Sequence, residues 1–191
     1  MKNHIVLLLG MCLLSVSSCK KEATTPATTP AVTSPYYFKF TFGGDSYNFN
    51  ANFPQYKPFY ANEIGGYQVA TTSLYTSVGL GISWPANDTV RESDIMGLKG
   101  RTLYFNDSII KLDLSFEKDA SSTTWRSEDT ANTNYNIKIT NVTFLKKDTT
   151  LGNPLRTYII TGTCNAVMSQ GSSTGIFSGG QFNFVISRMD L

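Results

Sequence analysis

Histidine is nearly absent from this chain of 191 residues, because its single copy is His4, near the amino terminus. Serine and cysteine nucleophiles are commonly activated by a histidine base, and histidine is a principal nitrogen ligand of zinc and copper. If a leader containing His4 is removed, the mature chain has no imidazole. The sequence therefore excludes Ser-His-Asp and Cys-His catalysis and histidine-based metal sites in the mature protein.

Cysteine is also scarce, since the chain has only Cys12, Cys19 and Cys164. Cys12 lies inside an apolar leader and Cys19 at its end, so Cys164 alone remains for a folded domain, which excludes an internal disulfide framework. A single free cysteine is usually a small buried hydrophobic residue. Because no cationic setting surrounds it in the sequence, we expect Cys164 to be buried and unreactive.

Charge is sparse as well: charged residues make up 16% of the chain and the formal net charge is +2. Nucleic-acid binding requires a clustered footprint of lysine and arginine, and the sequence shows none. Neither a P-loop nor a dinucleotide-binding glycine motif occurs. We therefore expect no nucleic-acid partner and no cofactor.

An apolar run from Ile5 to Leu14 dominates the start of the chain. Its ten residues match the central region of a signal peptide and fall short of the roughly 20 that span a bilayer as a helix. The run ends in VSSC at 16–19, and small residues before a cysteine resemble the bacterial lipobox. We predict that residues 1–18 are a lipoprotein signal peptide and that Cys19 is lipidated. An ordinary secretory signal with an incidental cysteine is the alternative.

A polar segment follows the cysteine, from the charged run KKE at 20–22 to the repeat-containing ATTPATTPAVTSP at 23–35. Such a composition cannot bury enough surface to order itself. Proline favours extended geometry, so the 13 residues 23–35 form a spacer of up to about 40 Å. We expect residues 19–35 to be a disordered tether, open to O-glycosylation. Two or more acyl chains on Cys19 would attach it stably to a membrane.

From Tyr36 the chain changes to the period-two alternation that is typical of β-strands. Residues 38–49 predict an opening hairpin around Gly43-Gly44, and residues 110–116 predict a strongly amphipathic strand. Turn signals recur every 8 to 15 residues along the sequence. We predict that residues 36–191 form one all-β domain, a single antiparallel β-sandwich or partly open barrel of about nine or ten strands.

Several local patterns make this prediction more specific. A change of phase near Thr140-Asn141 predicts a β-bulge, and 92–98 predicts a short helical turn. The row of alternate residues from Tyr158 to Met168 predicts an inward face that carries Cys164. Residues 171–180 are read as a Gly/Ser loop, and residues 146–154 as a turn region.

Aromatic residues are the candidate ligand-binding groups of the domain. Tyr56, Phe59, Tyr60, Trp84 and Trp125 could form a surface for sugar rings or another small ligand. The alternative is that they pack over one end of the core. Exposed aromatic faces favour the first interpretation, and burial favours the second.

Carboxylates are the remaining groups that could support catalysis or bind a metal. A glycoside hydrolase needs only two, about 5 to 10 Å apart in a cleft. A calcium site needs clustered oxygen ligands, for which residues 88–94 and Asp107 are candidates. Most of the acids fall in turns or on outward faces, so we interpret them as solvated groups and expect no enzymatic activity and no metal site.

The carboxyl-terminal third resembles a known group of proteins. The runs ITGTC at 160–164 and SGGQF at 178–182 are similar to the I-x-G-T-F and T-x-G-x-F strands of small Bacteroidota lipoproteins of unknown function. YNIKIT at 135–140 is similar to the strand that precedes them. This chain departs from the pattern at Cys164 and Ser178. The resemblance implies a β-sandwich at the cell envelope, and it implies no functional residues.

In that group, charged residues directly after the lipidated cysteine often accompany outer-membrane or surface display. The run KKE at 20–22 is similar, so the resemblance implies the outer membrane, at its periplasmic face or at the cell surface. We expect a lipid-anchored envelope protein, non-catalytic, with a binding or structural role toward a glycan or an envelope protein. The alternatives are a glycan- or small-ligand-binding module that uses exposed aromatics and, third, a carboxylate-only glycoside hydrolase.

Mass spectrometry of the mature amino terminus tests the leader prediction. We expect the mature chain to begin at Cys19 and to carry acyl chains on it, because the lipobox directs both cleavage and lipidation. An unmodified Cys19, or cleavage at another bond, would contradict the prediction.

Overall fold

A computed structural model describes residues 36–51, 63–70, 73–87, 89–118, 124–149 and 154–189. In chain order these ranges form β1 (Tyr36–Phe42), β2 (Asp45–Ala51), β3 (Glu63–Ala70), β4 (Ser73–Ser83), α1 (Glu92–Met96), β5 (Thr102–Tyr104), β6 (Lys111–Glu117), β7 (Trp125–Ser127), β8 (Asn136–Asp148), β9 (Leu155–Gln170) and β10 (Ser173–Met189). The predicted all-β class and strand number are confirmed. The leader, the tether and Cys19 lie outside the described residues.

All ten strands belong to one antiparallel sheet, in the order β2-β1-β10-β3-β4-β6-β7-β9-β8-β5, and the sheet is not a closed barrel. In addition, β9 pairs with β10 along most of its length. β1 and β3 share one edge of β10, and β8 and β7 share one edge of β9. The strands β3, β4, β6 and β7 therefore arch from one end of the β9–β10 hairpin to the other.

This geometry gives the sheet two facing layers. We call β2-β1-β10-β9-β8-β5 the hairpin layer and β3-β4-β6-β7 the arch layer. Side chains of the two layers meet between them: the ring of Phe116 on β6 lies 5.1 Å from that of Phe40 and 5.5 Å from that of Phe42, both on β1. The predicted sandwich-like architecture is thus reached by folding one sheet over itself.

Aromatic packing dominates the space between the layers. Phe38, Phe40 and Phe177 are buried, and the rings of Phe40 and Phe177 stack with centroids 4.0 Å apart. Phe38 also meets Phe182 at 5.4 Å. Burial of one such ring stabilises the fold by about 1.5–3 kcal/mol, and a favourable ring pair adds about 0.5–1.5 kcal/mol. The alternation of Phe38, Phe40 and Phe42 is therefore what fixes the inward face of β1.

The opening hairpin forms as predicted. β1 and β2 pair from Tyr36 opposite Ala51 to Phe42 opposite Asp45. The two residues between them, Gly43 and Gly44, have φ values of 61° and 90°. A two-residue hairpin turn of this type needs positive φ at both positions, which glycine adopts without steric cost.

The short helix predicted for 92–98 is also present, as α1 followed by a turn. Its one buried residue, Ile95, packs into the core beside Val90 and Leu98. On the outer side, the guanidinium of Arg156 lies 2.6 Å from the carboxylate of Glu92, which joins the helix to the start of β9. The helix segment therefore covers one end of the core.

The predicted bulge in β8 is confirmed by a shift of register between Ile139 and Asn141. At this point the backbone of Ile139 exchanges hydrogen bonds with the chain at Gly100 and Arg101. The bulge therefore redirects β8 where the connection from α1 reaches it.

The loop predicted for 171–180 is wrong, and the turn region predicted for 146–154 begins too early. Only Gly171 and Ser172 turn the chain, and residues 173–180 belong to β10; β8 likewise continues to Asp148, inside the predicted turn region 146–154. Glycine and serine have a low intrinsic preference for strands. Here that preference is overridden because 173–180 pairs with β9, and its last part also pairs with β1.

Two glycines in the long hairpin make room for the side chains opposite them. Gly162 pairs directly with Phe182, and a Cβ on Gly162 would lie 2.7 Å from Cζ of Phe182 and would overlap the carbonyl oxygen of Lys138. Gly180 pairs with Cys164, and a Cβ there would overlap its Sγ. Both glycines belong to the runs that resemble the Bacteroidota lipoproteins, so those runs have a structural role in this chain.

Cys164 itself is buried, as predicted, and burial raises the pKa of its thiol. The thiol therefore stays protonated through the physiological range. A protonated, solvent-shielded thiol is a poor nucleophile, which agrees with the expectation of an unreactive cysteine.

Substitution of the two hairpin glycines tests this packing. We expect Gly162→Ala and Gly180→Ala each to lower the free energy of unfolding by about 1–3 kcal/mol, because an added methyl group overpacks the interior. Chemical denaturation provides the measurement. Gly81→Ala is the matched control, since its Cβ would meet no atom closer than 3.6 Å, and we expect a change within about 0.5 kcal/mol. Equal stabilities for all three variants would show that these glycines are not needed for packing.

Candidate binding face

The structure resolves the role of two of the five candidate aromatics. Trp84 is 6% exposed and belongs to the core, so its proposed role as an exposed ligand-binding residue is wrong. Trp125 is half-buried and packs edge-on against Phe42, with ring centroids 4.8 Å apart. Tyr56, Phe59 and Tyr60 lie outside the described residues. The described tryptophans therefore form no common surface for a sugar ring.

The candidate calcium ligands bond to the backbone of their own turns. One carboxylate oxygen of Asp107 accepts hydrogen bonds from the N–H groups of Ile109 and Ile110, at 2.7 and 3.0 Å. Asp94 accepts one from the N–H of Arg91 at 2.9 Å. Asp88 lies outside the described residues. Within the described ranges, no group of three or more acidic, cysteine or histidine side chains could hold a metal ion.

Two carboxyl groups do share a groove on the outer side of the arch layer. Glu63 and Asp113 line it together with Ser83 and Lys111, but its volume is about 100 Å³. Ligand pockets usually begin near about 300 Å³. Asp113 is moreover in an exposed ion pair with Arg126, at 3.0 Å. The groove does not form the cleft that a carboxylate-only glycoside hydrolase requires.

A wider depression of about 510 Å³ lies beside α1. Its wall includes Asn87, Thr89, Arg91 and Asp94. Asn87 and Thr89 flank Asp88, which is outside the described residues, and the carboxylate of Asp94 already accepts the backbone hydrogen bond of Arg91. The described groups thus form an open polar surface without a converging set of ligand-binding atoms.

Among the described residues, aligned polar groups cover the outward side of the hairpin layer, which we call the amide face. Strand pairing aligns one outward side chain from each of its six strands in a single row. In spatial order the row is Asn48, Lys39, Gln181, Thr163, Lys138 and Thr102. All six side chains are exposed. At about 4.8 Å between strands the row is about 24 Å long.

Alternation along the strands is what places these groups outward. Phe38 and Phe40 point into the core, so Lys39 between them points to solvent. In the same way Phe182 on β10 leaves Gln181 outside, and Ile137 on β8 leaves Lys138 outside. The row is therefore a direct product of the apolar pattern on the other side of the sheet.

Neighbouring rows of the amide face also carry amide and hydroxyl side chains. Asn50, Tyr37, Asn183, Thr161 and Asn141 are aligned on one side of the first row. Within this second row the hydroxyl of Thr161 donates to the side-chain oxygen of Asn183 at 2.8 Å. On the other side of the first row, the side-chain oxygen of Asn165 accepts the backbone N–H of Gly179 at 2.9 Å. These contacts hold the surroundings of the first row in place.

The six side chains of the first row make no side-chain hydrogen bond or ion pair with another described residue. Lys39 contacts an aromatic ring instead, since its Nζ lies 5.1 Å from the ring centroid of Tyr37. Amides and hydroxyls both donate and accept hydrogen bonds. The row therefore offers donors and acceptors to a ligand without first breaking internal bonds.

Charge distinguishes the two outer sides of the described domain. Among the aligned rows of the amide face the charged residues are Lys39 and Lys138, and no acid is present. The outer side of the arch layer instead carries both signs, with Asp113 next to Arg126 and Lys111 next to Asp129. The amide face is thus a polar surface with a weak positive charge.

Sequence reasoning missed this face because it searched for aromatic residues. The available signal was the run of Asn, Gln, Thr and Lys at the outward positions of alternating strands. These positions form one surface only because β1 pairs with β10 and β9 pairs with β8, although the paired strands can be far apart in the sequence. The spatial order of the strands is not readable from their order in the sequence.

Comparisons of the chain with family models, with curated proteins and with solved structures returned no match. The site is therefore interpreted from its own geometry. Over the described ranges, no helix has the length and apolar character needed to cross a membrane.

The role of the Asp107 carboxylate in its turn can be tested by varying pH. Its backbone hydrogen bonds from Ile110 and Ile109 lower the pKa of the carboxyl group, so the stabilisation is present above the unfolded-state pKa and is lost as pH falls through the folded one. We expect Asp107→Ala to reduce the free energy of unfolding by about 1 kcal/mol at pH 7. The difference from wild type should shrink toward pH 3.

Denaturant titrations at the two pH values measure this effect. Ser108→Ala, at the exposed neighbouring position, is the control and should match wild type at both. A destabilisation by Asp107→Ala that is independent of pH would mean that the ionised carboxylate is not what holds the turn.

Proposed function

We propose that the mature chain is a lipid-anchored envelope protein that binds a polysaccharide through the amide face and performs no catalysis. We place it at the outer membrane, on the periplasmic face or at the cell surface. The proposal takes its membrane attachment from the lipobox-like VSSC at 16–19 and from the resemblance to small Bacteroidota lipoproteins.

The observation that carries the binding role is the row of six exposed polar side chains. A sugar chain presents hydroxyl groups that donate and accept hydrogen bonds along its length. Amide and hydroxyl side chains such as Gln181 and Thr163 can meet both kinds of group. Because the row runs across six strands, it supports a ligand that is extended and not a compact small molecule.

The tether supports the same function. The spacer predicted at 23–35, of up to about 40 Å, would separate the lipid from the domain and let the amide face reach polymers away from the bilayer. A flat polar face makes individually weak contacts with a ligand. Many copies on one membrane, binding one polymer, raise the overall avidity without any new contact.

A binding role without catalysis is supported by the amino-acid content of the mature chain. The only histidine of the sequence, His4, precedes Cys19, so the proposed mature chain has none. Several described carboxylates are occupied in ion pairs or backbone turns, as at Asp113 and Asp107. The groups that remain exposed and aligned are amides, hydroxyls and two lysines, which suit recognition.

Removal of two amides from the row tests the binding proposal. We expect the double variant Asn48→Ala/Gln181→Ala to bind polysaccharide at least tenfold more weakly than wild type, because it deletes hydrogen-bonding groups from two strands of the row. Affinity electrophoresis or calorimetry of the mature lipidated chain in detergent, against a panel of neutral and acidic polysaccharides, is the measurement.

Asn134→Ala is the matched control, since it removes an exposed amide in the loop before β8. It should leave binding unchanged, and all variants should unfold at the same denaturant concentration as wild type. Binding that is equally strong in the double variant would show that the amide face is not the site.

A further inference from the structure

The amide face contains a feature that specifies the charge of its ligand. We infer that the polysaccharide is acidic, that its chain runs across the strands along the first row, and that its carboxylates contact Lys39 and Lys138. This inference rests on the proposed function, since it concerns the ligand of the same face.

The two lysines lie in one row and are separated by two neutral residues. Lys39 on β1 pairs with Gln181, Gln181 pairs with Thr163, and Thr163 pairs with Lys138 on β8. Three strand spacings separate their backbones, or about 14 Å. An extended chain that contacts both lysines must therefore cross β10 and β9 between them.

Neither ammonium group has an acidic partner in the described part of the chain. The described acids that form ion pairs do so with other cations, for example Asp113 with Arg126, Asp45 with Lys118 and Asp148 with Lys146. Two exposed cations in aligned rows that contain no acid create a positive potential, which attracts anions. Charge complementarity therefore favours an anionic polymer over a neutral one.

Lys39 is also held in a defined position. Its Nζ lies 5.1 Å from the ring centroid of Tyr37 on the same strand. A lysine over an aromatic ring is attracted to the ring face, which restricts where the ammonium group lies. The lysine is therefore partly ordered before a ligand carboxylate arrives, which reduces the entropy lost on binding.

Between the lysines, Gln181 and Thr163 face the part of the polysaccharide that carries hydroxyl groups. The pattern along the row is thus cation, amide, hydroxyl, cation. It matches a polymer that has carboxylates at intervals and hydroxyls between them. Single exposed ion pairs contribute little, so discrimination requires both lysines acting together.

Two other anionic partners fit the surface less well. Nucleic-acid binding depends on clustered lysine and arginine along a continuous phosphate backbone, whereas this row has two lysines about 14 Å apart. Adsorption to anionic lipid depends on many basic residues near the surface. Anionic lipid is nevertheless included in the test, because both lysines would contribute to it.

A chemically matched pair of polymers tests the inference. Polygalacturonate carries a carboxylate on each sugar, and its fully methyl-esterified form has the same chain without the charge; alginate and its ester are a second pair. With the mature lipidated chain in detergent at low salt, we expect at least tenfold tighter binding to an acidic polymer than to its ester. This preference should decrease as salt is added, because exposed charges are screened.

The double variant Lys39→Gln/Lys138→Gln identifies the groups responsible. We expect it to lose the preference, so that an acidic polymer and its ester bind with affinities within twofold of each other. Lys99→Gln/Lys111→Gln is the control, since it removes the same charge from the turn after α1 and from the arch layer. It should retain the preference, and both double variants should keep wild-type stability.

Two results would overturn the inference and are distinguishable from each other. Equal binding of acid and ester by wild type, with no effect of Lys39→Gln/Lys138→Gln, would mean that the ligand is neutral; the proposed polysaccharide-binding function would stand. Absence of binding to every acidic and neutral polymer would overturn both proposals. In that case, lysine-dependent binding of the unlipidated chain to phosphatidylglycerol vesicles would assign the face to a membrane surface.

Discussion

The pairing of β9 with β10 is the constraint on which the rest of the described structure depends. These two strands pair from Leu155 opposite Met189 to Gln170 opposite Ser173. β1 and β3 pair with the outer edge of β10, β7 and β8 pair with that of β9, and the remaining strands are joined through these four. The pairing is possible because Gly162 leaves space for the Phe182 ring and Gly180 for the Cys164 thiol. A larger residue at either position would push the strands apart.

The hairpin also determines where the core and the binding face lie. On β9 the alternate residues from Tyr158 to Met168 are buried between the layers, and the arch layer covers them. The opposite side of the hairpin, including Gln181 and Thr163, is left to solvent. Because β1 and β8 extend the hairpin on both sides, their lysines join the same row. The apolar pattern that builds the core therefore also produces the polar face.

Much of the fold could be predicted from the alternation of apolar residues. The opening hairpin, the amphipathic β6, the bulge at Ile139 and the burial of Cys164 all follow from local periodicity. The prediction of a loop at 171–180 was wrong because glycine and serine are poor strand formers in isolation, and only the pairing with β9 keeps them extended. The prediction for Trp84 was wrong because residue type alone does not show exposure.

The sequence by itself determined the class of the domain, the inward face of each strong strand, and the lack of a histidine after Cys19. It also contains the lipobox-like VSSC at 16–19 and the Pro/Thr-rich run at 23–35, on which the envelope proposal rests. Only the tertiary structure decided which strands are neighbours, and hence that Lys39, Gln181, Thr163 and Lys138 form one row. The physical reason is that side-chain alternation is a local property, whereas strand order depends on which edges find a compatible partner far away in the chain.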